Sequence, residues 1–289
     1  MNLVPNVAVN SSVRPDFLLT DSDFLKIRTL IHQRAGIALS EHKRQMVYSR
    51  LARRLRKLKL TDFSTYLGLL QNDPRGAEWQ LFVNALTTNL TAFFREPHHF
   101  PLLAEHARRC GPAMTVWCSA ASTGEEPYSI AMTLIETLGS RASQARVVAT
   151  DIDTHVLALG AEGIFSAEQV SKLSPERLKR FFLKGAGDHA GEARIRPEVA
   201  AMVTFAQLNL LAPSWTLKEP FDAIFCRNVM IYFDRETQEN ILRKFVPLLK
   251  PHGLLFAGHS ENFSSTHLPL RLLGKTVYEL ISQHARAAA

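Results

Sequence analysis

The stretch SAASTGEEPYSIAM, Ser119 to Met132, reads as the turn that leads from a strand into a helix. Before it lies the short apolar run Thr115-Val116-Trp117-Cys118, and after it an apolar-periodic segment continues through Leu138. Nucleotide-binding proteins often place a glycine-rich turn here, because the N–H groups at a helix N-terminus bind phosphate. This turn carries one glycine, Gly124, followed at once by Glu125 and Glu126. Two carboxylates in the first turn would repel a pyrophosphate and favour a cationic group.

Downstream, strand and helix signals alternate. Strands are expected at Thr115–Cys118, Arg146–Thr150, Phe221–Cys226 and Leu254–Gly258, and helices at Pro127–Leu138, His155–Glu162 and Glu236–Leu249. The alternation predicts an α/β doubly wound, Rossmann-like sheet, with Val277–Ile281 as a closing antiparallel strand. Residues 164–203 break the rhythm. They hold a short helix, Pro175–Phe182, and short runs around glycines that suggest a small antiparallel β-subdomain inserted in the sheet domain.

Upstream, four helical patterns occupy residues 17–86 and predict a small all-helical domain. Their start signals are Asp21-Ser22-Asp23, Ser40 and Thr61, and Gly36 supplies a stop for the first. Residues 1–16 read as a loose tail, and residues 87–100, TTNLTAFFREPHHF, as a connector into the domain 101–289.

Composition narrows the class. The chain has 289 residues, 46% hydrophobic and 21% charged, which suits a soluble globular protein with ample core. No apolar run reaches the length of a membrane span, and the N-terminus lacks the basic and apolar regions of a secretory signal. Three widely spaced cysteines, Cys110, Cys118 and Cys226, fit reduced thiols in a cytoplasm, and the histidines show no HExxH or cysteine-paired spacing, so no metal is expected. Between Glu41 and Leu60 stand eight basic residues and one acid, an excess equal to the whole net charge of +7. Such a local patch implies an acidic partner.

In an open α/β sheet, ligands bind at the carboxyl ends of the strands. Those ends carry Glu125 and Glu126, then Asp151 and Asp153 in ATDID, then Arg227 and Asn228. An acid at the second strand's end suits a ribose diol. S-adenosylmethionine (AdoMet) combines an adenosine with a sulfonium and an ammonium and has no phosphate, so it fits this turn better than a dinucleotide. Taken alone, glutamates that merely offset the helix dipole are an equal reading of the turn, and Asp151 tips the balance towards the cofactor.

Five blocks, ALTTNLTAFFREPHHFPLL, VWCSAASTGEEPYSIAM, ATDID, FDAIFCRNVMIYF and LFAGHSENF, together closely resemble the bacterial chemotaxis receptor methyltransferases, the CheR family. The resemblance covers nearly the whole chain and keeps the order of the blocks. It implies an enzyme that moves a methyl group from AdoMet to glutamate side chains on the cytoplasmic coiled-coil domain of chemoreceptors, leaving S-adenosylhomocysteine (AdoHcy). It places cofactor contacts on Asn89, Thr91, Arg95, Glu126, Asp151, Asn209, Leu210, Arg227 and Asn228, with Glu126 preferred to Glu125. Arg95 and Tyr232 are expected near the methyl and the incoming carboxylate. The basic patch, with Arg50, Arg53 and Arg56, is expected to meet the receptor. Arg194 and Arg196, expected on one face of the inserted hairpin, are assigned to a peptide at the receptor's C-terminus, as in the tether-dependent members; a basic edge that prevents aggregation is the competing reading.

Other features count for less. GHSEN (Gly258–Asn262) lacks the second glycine of a nucleophile elbow, His98-His99 reads as a packed or solvated pair, and Cys118 and Cys226 sit in apolar strands. A nucleic-acid methyltransferase would explain the basic patch, but Arg50 to Lys59 contains no aromatic residue for base stacking. A catalytically idle AdoMet-binding scaffold stays open. Neither nucleic acid nor membrane insertion is expected, and a monomer is the default.

Overall fold

The computed structural model describes residues 16–281 except 218, 265 and 267, so the expected tail falls outside the described residues apart from Asp16. The chain forms two compact units. One holds the residues up to Leu30 together with Leu39–Leu86, and the other holds Ile31–Ala38 together with the chain from Thr87 onward.

The first unit is helical: α1 (Asp21–Ala35, whose last turn belongs to the second unit), α2 (Arg44–Leu58), α3 (Phe63–Asn72) and α4 (Ala77–Leu86). Their apolar stripes bury Phe24, Ile27, Val47, Leu51, Leu55, Phe63, Tyr66 and Phe82. The caps differ from the expected ones. Thr20 caps α1: its Oγ1 donates to Asp23 Oδ2 (2.6 Å) and accepts from the Asp23 amide (3.1 Å). Asp62 caps α3 by accepting from Thr65 N at 2.7 Å, while the Thr61 hydroxyl only braces that carboxylate. A carboxylate is the stronger acceptor for helix N–H groups, which is why it displaces the neighbouring hydroxyl. Ser40 makes no side-chain cap bond, because a 3-10 turn, Glu41–Lys43, intervenes before α2. Inside this unit Arg54 forms two hydrogen bonds with Glu78, which also accepts from the Tyr66 hydroxyl.

The second unit continues with α5 (His99–Cys110), β1 (Thr115–Cys118), α6 (Glu125–Leu138), β2 (Arg146–Asp151) and α7 (Thr154–Glu162). The insertion follows as β3 (Ile164–Ser166), α8 (Ala167–Val170), α9 (Pro175–Phe181), β4 (Phe182–Lys184), β5 (Glu192–Ile195) and α10 (Pro197–Ala200). The sheet resumes with β6 (Val203–Gln207), β7 (Phe221–Cys226), α11 (Arg235–Phe245), β8 (Leu249–Ala257), β9 (Leu270–Gly274) and β10 (Val277–Leu280).

The main sheet runs β6-β2-β1-β7-β8-β10-β9, parallel from β6 to β8, with β10 antiparallel to both neighbours. Strand order reverses between β1 and β7, so the loops after these two strands open the crevice in which doubly wound folds bind ligands. Every residue of β7 is buried, as expected of a parallel strand covered on both faces. The inserted β-subdomain is an antiparallel sheet, β3-β5-β4.

Three details depart from the periodicity. Helix α5 (His99–Cys110) begins at the end of the connector and continues over residues 101–110, for which the sequence suggests no element. Helix α11 stops at Phe245 and gives way to a 3-10 turn, since Pro247 has no N–H and its ring opposes the helical ladder. Strand β8 starts at Leu249 instead of Leu254, with a register irregularity against β7 and His252 in the left-handed region.

Candidate functional site

The crevice is built from three loops and the connector. The turn after β1 reaches Gly124, whose φ of 100° favours glycine and which precedes α6 as its N-cap. A Cβ at Gly124 would also lie 3.1 Å from the Cα of Gly160. The two glutamates that follow diverge. Glu125 accepts from the Thr123 hydroxyl (2.6 Å) and from Gln169 Nε2 (3.1 Å). Glu126 accepts from Arg227 Nη1 at 2.5 Å and from the Cys118 thiol at 3.2 Å. Glu126 therefore faces the strand ends, and its charge is balanced by the buried Arg227, not left free for a cation as the sequence suggested.

At the end of β2, Asp151 is buried, with Oδ2 accepting from Ser122 N (2.8 Å) and Oδ1 from Asp153 N (3.0 Å). Burial pushes its carboxyl up and these backbone N–H groups oppose that. Each oxygen keeps an acceptor lone pair, the arrangement that suits a vicinal diol. Asp153 caps α7 with Oδ1, and its Oδ2 accepts from Thr87 Oγ1 (2.6 Å) and Asn89 Nδ2 (2.8 Å). The amide of Asn89 is thus engaged by protein, and its carbonyl accepts from the Ser122 hydroxyl. Asn209 is engaged likewise: Nδ2 donates to the Arg34 carbonyl and Oδ1 accepts from Leu211 N. Leu210 is buried beside it, its carbonyl 3.4 Å from Lys244 Nζ, and the preceding amide of Leu208 donates to the Asp151 carbonyl.

The connector brings in Arg95 through a backbone that is left-handed at Phe94 and Glu96, conformations a side chain adopts only at a cost. Arg95 Nη1 donates to the Leu90 carbonyl, and Thr91 is half-buried alongside. The carbonyl of Arg95 accepts from Arg227 Nη2, which also stands 3.4 Å from Glu96 Oε2. Glu96 Oε1 further accepts from Asn228 Nδ2 (3.2 Å), with His259 Nδ1 at the same distance. Burial alone would raise the Glu96 carboxyl; the Arg227 guanidinium and these hydrogen bonds outweigh it and hold it down to about 2. His99, fully buried, donates from Nε2 to the Lys275 carbonyl (2.9 Å), and burial followed by the Arg227 charge lowers its pKa to about 4. Ligand atoms of Glu96, His98 and His99 lie within 4.8 Å of one another, but the adjacent Arg227 already neutralises that carboxylate and opposes a second cation there. Tyr232 sits half-buried in the 3-10 turn Met230–Tyr232, and its carbonyl accepts from Ala38 N.

Shared partners join these residues in two groups: Asn89 with Asp151 through Ser122 and Asp153, and Glu126, Asn228 and the Arg95 carbonyl through Arg227 and Glu96. The sequence assigns no role to Glu96 or Glu261, and it places Asp153 at the strand end without assigning its partners. The signal for Glu261 was present in GHSEN, which had been weighed only for its serine.

The remaining candidates lie elsewhere. On α2, Arg56 pairs with Asp16 (2.6 Å), Arg44 with Asp21 (2.9 Å) and Arg54 with Glu78, while Arg50 Nη1 reaches the Ala85 carbonyl at 3.4 Å. Arg53, Lys57 and Lys59 are exposed, with no acidic partner among the described residues. On the small sheet Arg194 is exposed on β5, but Arg196 does not share its face as expected. Arg196 lies past the strand's end as the N-cap of α10, its guanidinium directed to the Lys179 carbonyl, because Pro197 ends the strand and starts the helix.

A doubly wound sheet with an acid at the end of β2, and without a phosphate-binding glycine fingerprint at its first turn, defines a nucleoside-binding α/β domain of the AdoMet methyltransferase class. The family comparisons sharpen this. Residues 89–278 match the model described as CheR methyltransferase, SAM binding domain, and residues 22–87 match CheR methyltransferase, all-alpha domain. The chain belongs to the CheR methyltransferase family, and it is an AdoMet-dependent methyltransferase of chemotaxis. It is similar to the chemotaxis protein methyltransferase of Klebsiella aerogenes, 61% identical over 92% of this chain and 91% of that protein. The corresponding protein of Escherichia coli is 60% identical over 91% and 92%. Chemotaxis protein methyltransferase 2 of Pseudomonas aeruginosa is 52% identical over 91% and 94%.

Proposed function

We propose that this enzyme methylates glutamate side chains on the cytoplasmic coiled-coil domain of chemoreceptors, producing γ-glutamyl methyl esters and AdoHcy in the cytoplasm. The observation that carries the reading is the outward face of α2, where Arg53 and Lys57 stand exposed without acidic partners among the described residues, with Lys59 exposed likewise at the helix's C-cap. A helix bearing rows of glutamates complements such a face, and the charge would steer and register the encounter.

AdoMet supplies an electrophilic methyl on a sulfonium. The residues fit it: Asp151 would hold the ribose, Glu126, Arg227 and Asn228 would line the crevice at the β1/β7 switch, and Thr91 and Leu210 would pack beside it. Asn89 and Asn209, their amides already engaged, would shape the cofactor's surroundings through backbone and neighbours. A substrate glutamate with a pKa of about 4.3 is ionised at neutral pH and attacks without a general base. Bound AdoMet would supply its methyl to a carboxylate oxygen of the substrate, with the electron pair of the broken S–CH3 bond left on sulfur. Arg95, whose guanidinium spends one N–H on Leu90, and the Tyr232 hydroxyl are the donors that would orient the carboxylate. Positioning and exclusion of water then account for the rate.

The small sheet suits a receptor C-terminal peptide. Across it, Ile164, Arg194 and Leu183 are paired in one row, all exposed, beside a shallow cavity of about 200 Å³ lined also by Lys184, His189 and Glu192. A peptide added at an edge strand would place an apolar side chain on Ile164 and Leu183 and an acidic group on Arg194. Arg196 would brace the fold beneath. Among the described residues no helix is long and apolar enough to cross a membrane.

The test is incubation of the protein, as a monomer by the same reading, with labelled AdoMet and receptor cytoplasmic fragments. Label released by mild base as methanol is expected; base-stable label, or label on nucleic acid, overturns the reading. Titration with C-terminal receptor peptides tests the small sheet separately: no heat at high peptide concentration, with AdoHcy binding intact, removes the tether alone.

A further inference from the structure

We infer that Glu261 is a positioning residue for cofactor binding, setting the backbone of the loop after β7 so that Arg227 and Asn228 face the crevice; this rests on the assignment of those two residues to AdoMet. Glu261 is 4% exposed, and its four protein partners are all backbone amides. Oε2 accepts from Gly258 N (2.5 Å) and Asn228 N (3.0 Å), and Oε1 accepts from Val229 N (3.0 Å) and Met230 N (2.8 Å). Three successive amides thus converge on one carboxylate, and they lie at the start of the 3-10 turn Met230–Tyr232, where the first N–H groups have no partner within the turn.

The convergence requires a particular backbone. Asn228 has a φ of 57°, in the left-handed region that asparagine adopts more readily than other residues with a side chain. With Asn228 so turned, its Nδ2 meets Glu96 while Arg227 spans Glu126 and the Arg95 carbonyl. The end of β8 approaches just as closely. A Cβ on Gly258 would lie 2.6 Å from Asn228 Nδ2, 2.9 Å from Asn228 N and 2.9 Å from Glu261 Oε2. The glycine of GHSEN therefore admits the loop, and its glutamate fastens it. The motif serves the cofactor site without any part for its serine as a nucleophile.

Two substitutions probe this from different sides. Glu261→Gln keeps the shape, but either orientation of the amide turns an NH2 group towards two backbone N–H donors, so half of the nest is lost and reversed. Gly258→Ala keeps both acceptor oxygens and all four amide donors and displaces the loop by contact alone. Calorimetric titration of the full chain with AdoHcy, steady-state kinetics against AdoMet and receptor fragment, and thermal unfolding are measured on both, with Asp151→Ala and Asn228→Ala as controls. Both variants are expected to weaken AdoHcy binding and raise KM for AdoMet tenfold or more, with KM for the receptor fragment unchanged. A merely structural role would lower kcat per mole of protein, through a smaller folded fraction, and leave the Kd and KM of that fraction untouched; that result overturns the inference. If Glu261→Gln does not fold, Gly258→Ala decides alone. If the two controls bind AdoHcy normally, the cofactor assignment itself falls. If only the controls weaken binding, Glu261 alone is wrongly assigned.

Discussion

Replacing Glu96 with Gln should remove a stabilisation whose pH signature can be worked out in advance. In the native state this carboxyl falls from the usual 4.5 to about 2, because the charge of Arg227 and the bonds from Asn228 and His259 overcome its burial. At about 1.4 kcal/mol per tenfold, that difference is worth about 3 kcal/mol of stability near neutral pH. The folded pKa is depressed, so the contribution is fully present above the unfolded pKa and is lost as pH falls through the folded one. A single group of this kind forfeits about 0.4 kcal/mol at pH near 4.5 and about 1.4 kcal/mol at pH near 3.5. His99, held neutral by burial to about 4, adds its own acid destabilisation below about 6.5, and subtracting mutant from wild type removes most of that background. The assay is urea unfolding of both proteins from about pH 7 down to the lowest pH at which each remains folded. The wild-type advantage should be about 3 kcal/mol at neutral pH and shrink on acidification along that curve. An advantage below about 1 kcal/mol, or one that does not change between about pH 7 and 3.5, would show that Arg227 is balanced by Glu126 alone and that Glu96 is dispensable.

Asp151→Ala should weaken AdoHcy binding about ten- to a hundredfold by removing charge-assisted hydrogen bonds to the ribose, read by calorimetry; unchanged affinity in a folded mutant rejects the assignment. Arg53→Glu should raise KM for receptor fragments without altering AdoHcy affinity, and added salt should reproduce part of the loss in the wild type; normal methylation at low salt would assign the α2 face another purpose. Glu78→Ala leaves Arg54 and the Tyr66 hydroxyl without their shared acceptor, and should cost about 3–5 kcal/mol in urea unfolding, as for a broken buried pair; a cost under about 1 kcal/mol would mean that solvent reaches the site and replaces it.

The period of the apolar residues determined the architecture by itself. Alternating short apolar runs and amphipathic segments can bury their faces only as helices against a sheet, so four of the five parallel strands were legible, while the parallel edge strand β6 and the antiparallel β9 were not. The small helical unit was legible for the same reason, and the inserted antiparallel sheet from its short runs around glycines. Local chemistry was read less well, since caps depend on competition between neighbours: Asp62 won over Thr61, Thr20 over Asp21, and a 3-10 turn bypassed Ser40. Pairing across long separations could not be read at all. That Glu126 meets Arg227, that Asp153 engages Asn89 and that Asn209 holds the Arg34 carbonyl follow from which strand ends adjoin, and no local pattern encodes that. The same holds for charge. The eight basic residues from Lys43 to Lys59 suggest one surface, yet Arg44, Arg54 and Arg56 find acids brought to them by the fold. Glu261 is the clearest case, because a carboxylate in a linear motif has no visible role until a loop more than thirty residues earlier in the chain turns its amides towards it.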